Sequence, residues 1–193
     1  MKAAYLGRFV MLVLDEEMNS KAMTRPEARD EGDFAVGHTL PAEHMPPPDS
    51  PLWVEGVPFH MPDPSWPKDN LILEGQRLAL PPGRRVRAHF IGASDINPCR
   101  ARVELLYRPG PPAVARLGFS YFGGRTAHYG NRPAFNIPLL RTRTRDLKAD
   151  LSLWYQGLDL DPTRELCGMG LDDVPMLHVF ALTLENPGEG GPR

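Results

Sequence analysis

Several aromatic side chains stand where a ligand could reach them, in or next to turn-rich segments. Trp66 lies between Ser65 and Pro67, Tyr129 lies in a glycine-rich stretch, and Trp154 precedes a Gln-Gly pair. The apolar face of a pyranose stacks on such rings while amides and carboxylates bind its hydroxyls. The sequence therefore predicts a carbohydrate platform of Trp66 with Trp154 or Tyr129, and polar contacts from Asp95, Asn97 and Asn131. The competing interpretation places the same rings at the ends of a hydrophobic core.

Three arginines recur at every second residue within Leu139 to Lys148, at Arg141, Arg143 and Arg145. If this segment is a strand, their side chains share one face. Such a face could bind an acidic protein partner or a sulfated glycan. The alternatives are a solvated face, or an edge strand that charge protects from pairing with another chain.

No catalytic residue is predicted. The six histidines include no His-X-His pair with a downstream glutamate, so a cupin-like metal site is a weak alternative. The glutamates stand in no phrase that would fix a glycosidase carboxylate pair, and no Gly-X-Ser-X-Gly elbow is present. The one cofactor that the sequence suggests is a structural calcium ion, bound by Asp95 with Asn97 or by Asp172 with Asp173. The alternative is that these aspartates and asparagines simply form turns.

The composition favours one domain and disfavours several partners. The 193 residues include 22 prolines and 18 glycines, which favour turns and extended loops over long helices. A net charge of -2 gives no basic field for nucleic acid or an anionic membrane surface. The apolar run Phe9 to Leu14 is too short for a membrane span or a secretory signal. We therefore expect an intracellular protein, or a secreted one if translation starts elsewhere, with free thiols at Cys99 and Cys167.

Short apolar alternations separated by turns predict an all-β fold. The segments Val86 to Phe90, Arg102 to Tyr107 and Ala113 to Phe119 alternate as half-buried antiparallel strands do, and Pro109 to Pro112 predicts a hairpin connection between the last two. Met176 to Leu184 is apolar on both faces, as a central strand requires. We predict an antiparallel β-sandwich, of jelly-roll type, with long proline-rich loops.

The expected organisation has three parts. Residues 1–30 are interpreted as an edge strand followed by a polar loop, with a short helix near Arg25 to Arg29. Residues 31–185 form the sandwich. Residues 186–193, rich in glycine and proline, are predicted to be a disordered tail.

A set of short phrases resembles the β-sandwich modules found beside bacterial and fungal α-L-fucosidases and other glycoside hydrolases. The phrases lie between about residues 30 and 185 and read Gly32-Asp33-Phe34, Leu40-Pro41-Ala42-Glu43, Gly56-Val57, Phe59, Pro62, Asp69-Asn70, Gly75-Gln76, Leu80-Pro81, Phe90-Ile91-Gly92-Ala93 and Leu158 to Leu184. The resemblance implies a β-sandwich and a non-catalytic, carbohydrate-binding accessory role. The alternative is a protein-interaction or assembly module that uses a sandwich edge or the arginine face.

Overall fold

The computed structural model describes residues 1–188 and is built almost entirely of strands. The strands are β1 Lys2–Leu6, β2 Phe9–Val13, β3 Met23–Thr24, β4 Leu40–Pro41, β5 Leu52–Val54, β6 Val57–Phe59, β7 Leu71–Glu74, β8 Arg77–Arg84, β9 Arg87–Ser94, β10 Cys99–Arg108, β11 Ala113–Phe119, β12 Arg132–Arg141, β13 Asp146–Asp159, β14 Glu165–Leu171 and β15 Asp173–Glu185. Two single 3-10 turns, Pro26–Ala28 and Ala42–His44, are the helical elements among the described residues. The short helix expected near Arg25 is the first of these turns.

Eight strands form a jelly roll, because their antiparallel pairing is nested. Strand β7 pairs with β15, β8 with β14, β9 with β13, and β10 with β11. One sheet has the order β11-β10-β14-β8, and the other contains β15-β9-β13 with β7 beside β15. This is an antiparallel β-sandwich of the predicted class.

Three further strands extend the larger sheet to seven. Strands β1 and β2 form a hairpin, and β2 lies beside β15, with Leu12 opposite Leu182. Strand β12 lies outside β13 at the other edge. Residues 1–13 are therefore part of the sandwich and not an appendage to it. Of the tail predicted to be disordered, residues 189–193 lie outside the described residues.

The hydrophobic core lies between the two sheets, where inward residues of each strand alternate with outward ones. In β10, Ala101, Val103 and Leu105 are buried while Arg100 and Arg102 are exposed. The pattern of period two recognised in the sequence is therefore the sandwich face of this strand.

The larger sheet is covered on its second face as well. The connection between β2 and β7, residues 14–70, lies across it, and the Thr183 hydroxyl donates a hydrogen bond to the Pro58 carbonyl at 2.7 Å. The Phe34 ring meets the His178 ring edge-on, with centroids 4.6 Å apart. This double cover explains why β15 is buried at consecutive positions from Leu177 to Leu184. No helix within residues 1–188 is long and apolar enough to cross a membrane.

Candidate functional site

Trp66 lines a cleft of about 440 Å³ formed by the long connection, which we call the Trp66 cleft. Its wall also includes Lys21, Thr24, Arg25, Glu31 and Ser65. The Trp66 side chain is partly exposed. The predicted aromatic residue therefore does stand beside hydrogen-bonding groups in a concave surface.

A tight turn presents Trp66. The Asp63 carboxylate accepts a hydrogen bond from the Ser65 backbone N–H at 2.8 Å, and the Asp63 carbonyl accepts one from the Trp66 N–H at 3.0 Å. The bond from Ser65 holds the pKa of Asp63 below its ordinary value. The turn follows from local chemistry, since aspartate commonly accepts from the backbone two residues on.

A buried ion pair fixes this turn to the rest of the connection. The Lys21 ammonium donates to the carbonyls of Pro64 and Trp66, each at 2.7 Å, and lies 3.0 Å from Asp69 Oδ2. Asp69 is fully buried and accepts further hydrogen bonds from the N–H groups of Ala22 and Met23. Burial raises the pKa of Asp69 despite these partners.

A second hollow of about 510 Å³ adjoins the Trp66 cleft and shares Arg25 and Pro64 with it. Its wall includes the three prolines Pro46, Pro47 and Pro48. Arg25 and Pro64 therefore separate two neighbouring concave surfaces of the long connection.

Another cleft, of about 480 Å³, opens over the larger sheet, and we call it the His89 cleft. Its wall is mostly polar and is formed by Arg8, Glu55, Gly56, Val57, Arg87, His89, Tyr129, Gly130, Arg132, Tyr155, Gln156, Gly157 and Glu185. The β5–β6 turn forms one side, where Glu55 and Gly56 both have positive φ, as a two-residue hairpin turn of type I′ requires.

His89 lies at the base of this cleft with both ring nitrogens engaged. Its Nδ1 is 2.9 Å from the Tyr155 hydroxyl, and its Nε2 is 2.9 Å from Glu185 Oε2. Burial lowers the pKa of His89, although the hydrogen bond to Glu185 opposes this. Burial likewise raises the pKa of Tyr155. Alternation in β9 predicts an outward His89, and the residue does point away from the sandwich core, but the long connection buries it.

The remaining predicted carbohydrate residues do not join Trp66. Trp154 is 2% exposed in β13 and donates its Nε1–H to the Tyr121 carbonyl at 3.1 Å, so the platform interpretation is wrong for this residue and the core interpretation is right. Tyr129 lines the His89 cleft instead, where the Arg100 guanidinium lies over its ring. The predicted pairing of Trp66 with either ring is therefore wrong.

Asn131 is a structural residue of the Gly123 to Asn131 connection. Its side-chain oxygen accepts from the backbone N–H and the hydroxyl of Ser120, at 2.7 and 2.9 Å, and its amide donates to the Gly118 carbonyl. Asn131 is only 5% exposed, and both its side-chain oxygen and its amide nitrogen bind groups within the protein. The predicted ligand contact at Asn131 is therefore wrong.

Asp95 turns inward and Asn97 stays at the surface. The Asp95 carboxylate lies 3.8 Å from His178 Nε2, and within residues 1–188 neither this nitrogen nor Asp95 Oδ1 has a hydrogen-bond partner. His178 Nδ1 pairs with Asn70 Oδ1 at 2.8 Å. Asn97 is exposed and its carbonyl accepts from Ser94. Neither residue lines the Trp66 cleft.

The predicted arginine face does not form. Residues 142–145 are a turn between β12 and β13, in which the Thr142 hydroxyl accepts from the Arg145 N–H. Arg143 and Arg145 are exposed on this turn, whereas Arg141 is fully buried. The period of two was misleading because the segment is a hairpin turn and not a continuous strand.

Arg141 is held by two carboxylates. Its guanidinium donates to Glu43 at 2.5 and 3.1 Å and to Asp146 at 2.8 and 3.0 Å. These bonds lower the pKa of Glu43 and bring that of Asp146 to about 2. Arg141 therefore ties β12 to the 3-10 turn at Glu43.

Of the residues predicted to bind calcium, Asp172 connects β14 to β15 and Asp173 begins β15. Asp172 Oδ2 accepts from the Arg102 backbone N–H at 2.9 Å. Within residues 1–188, no group of three or more His, Cys, Asp or Glu side chains is arranged to hold a metal ion. Cys99 and Cys167 are both free thiols.

Sequence analysis did not single out the residues that fix the two clefts, because each of them interacts with a partner far away in the chain. Lys21 and Asp69 stand 48 positions apart, and His89 and Glu185 stand 96 apart. For the second pair, the one local signal in the sequence is that a charged residue, Glu185, ends the apolar strand β15.

Comparison of the chain with known protein families also indicates a β-sandwich. No curated protein matches the chain. The model of the AziU2-like beta-sandwich domain matches residues 10–187, which cover the long connection and both sheets apart from β1 and the first residue of β2. The chain therefore belongs to the AziU2-like beta-sandwich domain family.

Proposed function

We propose that this domain is a non-catalytic binding module of the kind that accompanies glycoside hydrolases, and that it binds a carbohydrate in the Trp66 cleft. The observation that carries the proposal is a partly exposed tryptophan in a concave wall with Arg25, Glu31 and Ser65. A sugar ring stacks on the indole while these polar groups bind its hydroxyls. The resemblance to modules beside α-L-fucosidases supports the same choice of ligand.

The volume of the Trp66 cleft and the rigidity of the turn that carries Trp66 both suit the binding of a sugar. Its 440 Å³ lies within the usual range of about 300 to 1,000 Å³ for small-molecule sites. Lys21 holds the carbonyl groups of Pro64 and Trp66, so the aromatic side chain is carried by a fixed turn. A fixed platform lowers the entropic cost of binding.

The test is a glycan array on the purified chain, followed by calorimetry on each hit with Trp66→Ala. Loss of the ring should weaken binding about tenfold or more, which corresponds to about 1.4 kcal/mol. Trp53→Ala is the matched control, because Trp53 is 57% exposed on β5 and lies outside the cleft. Equal affinity of Trp66→Ala and wild type, or no hit with folded protein, would contradict the proposal.

The second candidate is a protein-interaction module that uses the edge strand β1. This strand contains no proline and exposes Tyr5 and Leu6, at 67% and 39%. The opposite edge, β12, contains Pro133 and Pro138, which discourage pairing with another chain. Light scattering behind a sizing column tests this candidate: a mass above one chain that Tyr5→Lys returns to one chain would support it, and a single-chain mass for wild type at high concentration would oppose it.

A further inference from the structure

The hydrogen-bonded chain of Tyr155, His89 and Glu185 has a defined direction. An ionised carboxylate can only accept a hydrogen bond. His89 Nε2 therefore carries a hydrogen and donates it in a hydrogen bond to Glu185. Nδ1 is then an acceptor, and the Tyr155 hydroxyl donates to it. The lone pairs of the Tyr155 oxygen are therefore left for a ligand that donates a hydrogen bond from the cleft.

The surroundings of His89 keep this direction at neutral pH. Burial lowers the His89 pKa, which maintains the neutral ring. The charged groups near the ring are Glu185 from β15, Arg87 from its own strand, and Arg8 from the β1–β2 turn. Both arginines oppose protonation of the ring, and Glu185 favours it.

Three arginines give the cleft donors for an anion. Arg8 lies 3.1 Å from Glu185, Arg87 lies 3.5 Å from Asp159, and Arg132 pairs with Glu55. A guanidinium has five N–H donors, so one ion pair does not use them all. The cleft wall itself holds three arginines and two glutamates, while Asp159, the partner of Arg87, lies outside the wall with its side chain 86% exposed to solvent.

Gly157 allows one of these arginines to reach over the sheet. A Cβ at this position would lie 2.3 Å from Arg87 Nε. The Arg87 side chain therefore lies directly across the β13 backbone, beside Tyr155 and Gln156. The positive group and the hydrogen-bond acceptor are thereby brought to the same part of the cleft wall.

We propose that the His89 cleft is a separate site for an acidic sugar, whose carboxylate is bound by Arg87 and Arg132 and whose neighbouring hydroxyl donates to Tyr155. His89 and Glu185 are positioning residues, because they fix the direction in which the Tyr155 hydroxyl points. The volume of 480 Å³ holds one sugar acid. This site goes beyond the carbohydrate role proposed for the Trp66 cleft and does not depend on it.

The experiment is calorimetry on the full chain, with glucuronate as the probe and glucose and inorganic phosphate for comparison. Saturable binding of glucuronate, with glucose binding at least tenfold weaker, is expected. Arg132→Gln should weaken glucuronate binding at least tenfold. Arg125→Gln is the matched control, since Arg125 is also an exposed arginine with one ion pair, to Asp150, and lies outside the cleft. Its affinity should equal that of wild type.

Two further measurements separate the site from general charge effects. Tyr155→Phe, checked for folding by its thermal unfolding midpoint, should lose affinity for glucuronate about tenfold. Wild-type affinity should also fall as acid protonates His89, because Nδ1–H then donates to Tyr155 and reverses the chain. No glucuronate binding, binding of phosphate alone, or equal loss in Arg132→Gln and Arg125→Gln would overturn the proposal. Retained glucuronate binding in Trp66→Ala distinguishes this site from the Trp66 cleft.

Discussion

The two clefts are built in opposite ways. The Trp66 cleft belongs to the long connection, where the regular structure is limited to short strands and single turns, and one buried ion pair fixes its shape. The floor of the His89 cleft lies on β13, β9 and β15, where β9 is paired with β13 on one side and with β15 on the other, while turns and loops add residues such as Glu55 and Tyr129 to its wall. The comparison teaches that a site on loops depends on a few strong contacts, whereas a site on strands inherits the rigidity of the sheet.

The largest expected effect is on the loop-built region. Lys21→Met leaves the Asp69 carboxylate buried without its cation, and the free energy of unfolding should fall by about 3 to 5 kcal/mol. Urea unfolding followed by tryptophan fluorescence measures this. Lys68→Met is the matched control, because Lys68 lies in the same loop and is exposed. Equal effects of the two substitutions would show that the ion pair does not hold the connection.

A smaller but still clear effect is expected in the sheet. Gly92→Ala places a Cβ 2.3 Å from the Phe119 ring and 2.4 Å from the His178 carbonyl oxygen. Because ring and backbone are both fixed by packing, the free energy of unfolding should fall by about 1 to 3 kcal/mol. Calorimetric melting of this variant should remain one cooperative transition. Two separate transitions would contradict the view that the strands act as one unit.

The His89 cleft should make stability depend on pH. Burial lowers the His89 pKa in the folded protein, so the unfolded chain takes up the proton first as pH falls below about 6.5. This contribution to stability is therefore complete above pH 6.5 and is lost as pH falls towards the folded pKa, by about 1.4 kcal/mol for each unit of difference. Unfolding measured across this range should lose this slope in His89→Gln. It should keep the slope in His128→Gln, which changes an exposed histidine.

The smallest effect on stability is expected for Gly157→Ala, a substitution that should change the geometry of the His89 cleft without destabilising the fold. The three atoms nearest to a Cβ at Gly157 all belong to the Arg87 side chain, so in Gly157→Ala the guanidinium can move aside. The free energy of unfolding should change by less than about 0.5 kcal/mol, while glucuronate affinity falls several-fold. A stability loss as large as that of Gly92→Ala would show that Arg87 is rigidly packed.

The fold was predictable because its signals are local. Alternation in β10 and β11 and the doubly apolar stretch in β15 each record which faces are buried. Nesting of the strands into a jelly roll then follows from a small number of allowed topologies. The alternating segments that predict the individual strands were therefore sufficient to predict the β-sandwich.

The sites were less predictable because their signals are not local. Arg141 is a surface residue by type, and the sequence left Trp154 open between a ligand platform and the core. Each is buried by partners that only the folded chain supplies, such as Glu43 and the Tyr121 carbonyl. Trp66 was found because a tryptophan between serine and proline indicates a loop. Nothing near His89 in the chain indicates Tyr155 or Glu185, since strand pairing alone brings them together.

The position of β15 within the larger sheet also bears on how the protein is made. This strand, Asp173–Glu185, pairs along one side with β9 and along the other with β7 and β2. During synthesis, the strands that flank it have therefore emerged from the ribosome long before their central partner. Their apolar faces and unpaired backbone groups stay open for that interval. We therefore expect the incomplete chain to aggregate more readily than the finished domain until translation reaches the strand that closes the sheet.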